Sequence, residues 1–152
     1  SQTPFVSQSV YGQFSAVPIA NGIEARMIEA EAALKNNDVG TWLARLNTAR
    51  ATVTGLANLT DPGSTTARVD LMFRERAFWF FATGHRIGDL RRMIKQYGRS
   101  AETVFPTGAF GKGGNYGSDI NIPVPQSELN NPIFAEAMAK VGPTATCLDR
   151  AP

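Results

Sequence analysis

The residues that could do chemistry are few. His85 is the only histidine, set between Gly84 and Arg86 and four residues before Asp89. An imidazole in such a place can act as an acid–base group, but that role needs a neighbouring nucleophile, and the flanking residues supply none. The alternative is a structural histidine, hydrogen-bonded at the junction of two helices. Glu75 falls between Leu71 and Phe78 on a helical wheel. It therefore faces an apolar surface and requires a cation, either Arg50 or Arg86. Asp89, with Arg86 three residues before it and Arg92 three after, forms a charge cluster suited to tying a helix down. Hydrolysis by paired carboxylates requires a second acid aimed at the same cleft, and no mate is evident. No catalytic residue is assigned, and no enzyme activity is expected.

A glycine-rich stretch, Gly108-Ala109-Phe110-Gly111-Lys112-Gly113-Gly114-Asn115-Tyr116-Gly117, invites comparison with phosphate-binding loops. Its spacing fits neither the Walker nor the dinucleotide pattern, and no strand–loop–helix context surrounds it. The stretch does carry Phe110, Asn115 and Tyr116 on flexible backbone, a set that can stack on sugar rings and hydrogen-bond their hydroxyls. The plain reading is a surface loop whose glycines serve turns. Trp42 and Trp79 could likewise be sugar platforms, yet both lie within helical apolar patterns and are expected in the core. Cys147 is the only cysteine, which excludes an internal disulfide and any multi-thiolate metal site. No cofactor and no metal are expected.

The elements that must position these residues are helical. Ile23, Met27, Ala30 and Leu34 recur at helical spacing, predicting a first helix that ends near Asn36. Asn37-Asp38 can stop it and cap a second, whose Trp42, Leu46, Ala49 and Val53 share one face before Gly55. So short a connection predicts an antiparallel pair, with the alanines at 30, 32, 33, 44 and 49 permitting close approach. A third helix is expected over 67–82, capped by Thr65 or Thr66 with Asp70 in its first turn. The apolar run over 77–82 demands cover on several sides. Gly84 suits its left-handed stop. A fourth follows with Ile87, Leu90, Ile94 and Tyr97 on one face and Gly98 at its end; Arg86, Arg91, Arg92, Lys95 and Arg99 make it basic. Residues 1–22 read as an irregular arm. Residues 99–131 read as a long Gly/Pro-rich loop with an extended strip over 120–125. Asn131-Pro132 opens a short last helix over 133–140.

The whole is expected to be one all-α domain, residues 1–152, of two tetratricopeptide-like hairpins. Its charge balance of 15 basic against 13 acidic groups is too even to imply nucleic acid. Its longest apolar run, residues 77–82, is far short of the roughly 20 residues of a membrane span.

Four segments resemble the SusD/RagB family, in the order that family shows them. Glu24-Ala25-Arg26-Met27-Ile28-Glu29-Ala30-Glu31-Ala32 is similar to its first carboxy-terminal helix, and Leu46-Asn47-Thr48-Ala49-Arg50-Ala51 to its Leu-Asn-x-x-Arg stretch. Arg74-Glu75-Arg76-Ala77, followed by Gly84-His85-Arg86-Ile87-Gly88-Asp89-Leu90-Arg91-Arg92, resembles its Glu-Arg helix and Gly-His-Arg-x-x-Asp-Leu-x-Arg turn. Ile122-Pro123-Val124-Pro125-Gln126-Ser127-Glu128-Leu129 with Asn131-Pro132 looks like its Pro-Ile-Pro-x-x-Glu close. Thr83 and Gly88 depart from the pattern, which there usually has an acidic and an aromatic residue.

The resemblance implies the carboxy-terminal part of a nutrient-capturing lipoprotein on the bacterial outer membrane. Such a protein binds glycans or other polymeric nutrients at the cell surface. It works without bond chemistry beside a TonB-dependent transporter of the SusC type, and meets the membrane only through a lipid anchor outside this chain. Glu75, Arg76, Gly84, His85, Arg86, Asp89 and Arg92 then form a structural signature, and the chain supplies scaffold and partner surface. The competing expectation is a standalone helical interaction module or structural subunit of a surface assembly.

Overall fold

The computed structural model describes residues 11–16, 18–117, 120 and 126–141. Among them the chain is mostly helical and forms no strand. The first ten residues of the amino-terminal arm, the extended strip beyond Ile120, and the tail with Cys147 lie outside the described residues. Chain contacts divide the protein into two units that meet at the Gly84–His85 bond.

The first unit is built on three helices, α1 (Gly22–Lys35), α2 (Val39–Arg50) and α3 (Thr65–Trp79). Each begins on a side-chain cap that satisfies one of the orphan donors of the first turn. Asn21 Oδ1 accepts the Glu24 N–H at 2.9 Å, Asp38 Oδ1 the Thr41 N–H at 3.0 Å, and Ser64 Oγ the Ala67 N–H at 3.2 Å. Ser64, ahead of the expected Thr65 or Thr66, thus starts α3 two residues early and leaves Asp70 beyond its first turn.

α1 packs on both α2 and α3. Met27, Ala30, Trp42, Leu46 and Met72 are completely shielded from solvent, and each large side chain among them stabilises the unit by about 1.5–3 kcal/mol. Of the alanines expected at the seam, Ala30, Ala33 and Ala49 are buried, whereas Ala32 and Ala44 are on the outside.

Two helices end sooner than the periodicity predicts. α2 stops at Arg50, and Val53, expected on its buried face, is exposed. Thr52 explains this: its N–H and hydroxyl both bond the Ala49 carbonyl, at 3.1 and 2.7 Å, closing a turn where a β-branched run disfavours another helical one. α3 stops at Trp79, not Ala82. The Thr83 N–H and hydroxyl both reach the Phe80 carbonyl, and Ala82 takes a left-handed φ of 60°. The all-round apolar run is therefore a helix end followed by a turn, and its cover is partial: Phe80 is buried while Phe78 and Phe81 are 71% and 70% exposed.

The second unit carries α4 (Arg86–Tyr97), α5 (Ala101–Val104), α6 (Gln126–Leu129) and α7 (Pro132–Val141). α4 buries Leu90 and Ile94 on the expected face. Gly98, at φ 64°, turns the chain so that the Arg99 N–H reaches the Met93 carbonyl at 3.0 Å. The long loop expected after it contains two helical turns that carry no periodic signal, α5 and α6. α5 forms because the Ser100 carbonyl accepts from both Thr103 and Val104, and it packs on α4. α7 opens as predicted, with Asn131 Oδ1 accepting from Ile133 and Pro132 in first position.

Candidate functional site

Two ion pairs tie the helices of the first unit. Glu75 is 2% exposed, and of its two possible partners the structure selects Arg50, whose Nη1 donates to both carboxylate oxygens at 3.1 Å. Arg50 Nε donates in turn to the Ala57 carbonyl at 2.7 Å, folding the chain after α2 back over its own end. The neighbouring Arg76 is also buried. It lies 4.0 Å from the buried Glu31 of α1 and stacks over the Phe80 ring at 4.7 Å. The Glu31 pair was not anticipated, although its signal is present: Glu31 shares the α1 face of Met27, Ala30 and Leu34. Adjacent residues of α3 thus fasten to different helices, Glu75 to α2 and Arg76 to α1.

In the second unit, His85 occupies the N-cap position of α4, half-buried, and its carbonyl accepts the Asp89 N–H at 3.0 Å. Its imidazole makes no side-chain cap. Asp89 is buried at 4% exposure and accepts from Arg92 Nη2 at 2.9 Å. Arg86, the third member of the expected cluster, is exposed. Gly84 adopts φ 84°, the left-handed conformation expected of it, but in the turn after α3 rather than at the helix end. Through the His85 carbonyl and the Asp89–Arg92 bond these residues cap and anchor a helix.

The glycine-rich loop closes on itself. Ala109 and Asn115 form an antiparallel bridge, flanked by the Phe110 N–H to Gly114 carbonyl bond at 2.8 Å and the Tyr116 N–H to Gly108 carbonyl bond at 2.9 Å. Gly113 and Gly114 both take positive φ, at 104° and 78°, which only glycine adopts in succession without strain. The closed loop brings Phe110 and Tyr116 edge to face, ring centroids 5.2 Å apart, while leaving them 41% and 43% exposed. Two part-exposed aromatic rings on a bridged loop next to an asparagine amide can hold an apolar sugar face while polar groups meet its hydroxyls.

Trp42 belongs to the core, as expected, but Trp79 is half-buried. With Val53, Leu56, Phe78 and the Arg50–Glu75 pair it lines a mostly apolar groove of about 390 Å³. Compared with known proteins, the chain matches no family model, no curated protein and no solved structure.

Proposed function

We propose that the chain is the carboxy-terminal helical part of a SusD/RagB-like protein, a non-catalytic component of glycan or polymer capture at the bacterial outer membrane that works with a SusC-type TonB-dependent transporter. The observation that carries this reading is the convergence of its resembling segments. Glu31 of the first, Arg50 of the second, and Glu75 with Arg76 of the third engage one another in buried ion pairs. Residues of these types, scattered over three helices, have a common physical reason to occur together.

α1 and α2, joined through residues 36–38 and packed together, make a hairpin of tetratricopeptide-like character, a scaffold suited to large complementary surfaces. Phe110, Asn115 and Tyr116 serve as the sugar-facing set, and the exposed apolar residues of α3 as partner surface.

Purification from membranes under mild detergent tests the transporter role: recovery with a TonB-dependent barrel and a lipid-anchored parent chain is the expected result. Recovery of a free chain without either would end it. The glycan role is tested by affinity electrophoresis through a panel of neutral and acidic polysaccharides, with retention expected for the parent and reduced in Tyr116→Ala at unchanged circular dichroism.

A further inference from the structure

The connection from α2 to α3 is tied back to α2 by two side chains. Asn47 Oδ1 accepts the Leu59 N–H at 2.7 Å, and Asn47 Nδ2 donates to the Leu59 carbonyl at 3.2 Å. One amide thus meets both backbone groups of one residue, as a neighbouring strand would; a carboxylate or an apolar side chain could not. One turn along the same face of α2, Arg50 Nε donates to the Ala57 carbonyl at 2.7 Å while its Nη1 holds Glu75 of α3. Burial contributes little here. Leu59 is half-buried and the rest of residues 51–60 are exposed, Val53 and Leu56 at 43% and 41%. A segment with so little apolar cover belongs to the low end of local stability, so the bonds from Asn47 and Arg50 decide where it lies.

That position matters because Val53 and Leu56 line the apolar groove together with Phe78 and Trp79. We infer that residues 51–60 form a latched strap and that Asn47 is its latch, a positioning residue that acts on Arg50 and on the groove through the strap. With the latch closed, Ala57 stays within reach of Arg50, and Val53 and Leu56 stay beside Trp79. With it open, the strap leaves α2 as a unit while α1, α2 and α3 remain packed on their own buried core. The groove then loses two of its lining side chains and Arg50 keeps only Glu75.

Native-state hydrogen exchange by NMR on the whole chain tests this with Asn47→Ala, which removes both latch bonds and favours the helix that carries them. The Leu59 amide is expected to exchange about tenfold faster or more, the effect of losing its hydrogen bond. The Arg50 Nε–H, whose acceptor is Ala57 and not Asn47, should exchange faster as well. Acrylamide quenching of tryptophan should rise through Trp79, since Trp42 is completely shielded. The amides of Met27 and Met72, in the core of α1 and α3, should keep their parental rates. Asn47→Asp keeps the acceptor for the Leu59 N–H and loses the donor, so it is expected to shift the same probes in the same direction by less, and it serves should the alanine change weaken the fold. Faster exchange at Leu59 with Arg50 Nε–H and Trp79 unmoved would reduce Asn47 to a local contact and overturn the inference. Equal acceleration at Met27 and Met72 would overturn it too, because the strap would then have no opening of its own.

Discussion

The three-helix unit and the unit that begins with α4 use the same residue types in opposite ways. In the first, arginine and glutamate go inward: Glu75, Arg76 and Glu31 are each less than 8% exposed and meet across helices. In the second, among the described residues, α4 buries Asp89 but leaves Arg86 and Lys95 exposed and Arg91 and Arg92 half-buried. Burial makes charge a device for specifying which helices pair, because a buried ion without its partner is costly. Exposure leaves charge with little influence on which helices pair, because solvated cations cost little to keep and their ion pairs contribute little.

Breaking the inward pair gives the largest expected effect. Glu75→Ala strands Arg50 and lowers stability by about 3–5 kcal/mol. Urea unfolding followed by tryptophan fluorescence measures it, since Trp42 and Trp79 both report on this unit. Recovery of most of that loss in Arg50→Met with Glu75→Leu would show that the pair specifies more than it stabilises. Gly98→Ala acts in the other unit through the backbone, forcing a β-carbon into the left-handed turn at φ 64°; about 1–2 kcal/mol of destabilisation is expected in a circular dichroism melt.

The outward charges should be nearly silent by the same measure. Arg91→Gln is expected to shift stability by less than about 0.5 kcal/mol, and a larger loss would mean that the two units differ less than their burial suggests. Smallest is a pair at the surface of the first unit. Bidentate hydrogen bonds from Arg68, both at 2.7 Å, and one from the Gly63 N–H hold the Asp61 carboxyl at about 2, below its usual 3.8. Its folded-state value is depressed, so its contribution is present above pH 3.8 and fades as pH falls toward about 2. Carbon-detected NMR titration of the Asp61 carboxyl reads this directly.

Much of this was legible because the signals were local. Apolar residues at helical spacing located α1, α2 and α4, and Asp38 and Asn131 cap where their chemistry suggests. Glu75 could be known to need a cation, though not which, because the choice between Arg50 and Arg86 depends on how distant segments meet. Helix ends were read too long at Val53 and Ala82, where threonine hydroxyls capture a carbonyl and stop propagation, a competition that hydrophobic periodicity does not register.

Ala82 carries a last consequence. It is one of two non-glycine residues found at positive φ among the described residues, two positions before Gly84 in the turn that follows α3. The alanine β-carbon makes that conformation costly, and a glycine or asparagine there would relieve it. In a saturating map of folding fitness, position 82 should therefore stand out as a place where the resident residue is outperformed by its substitutes, and so as a first choice for engineering a sturdier chain.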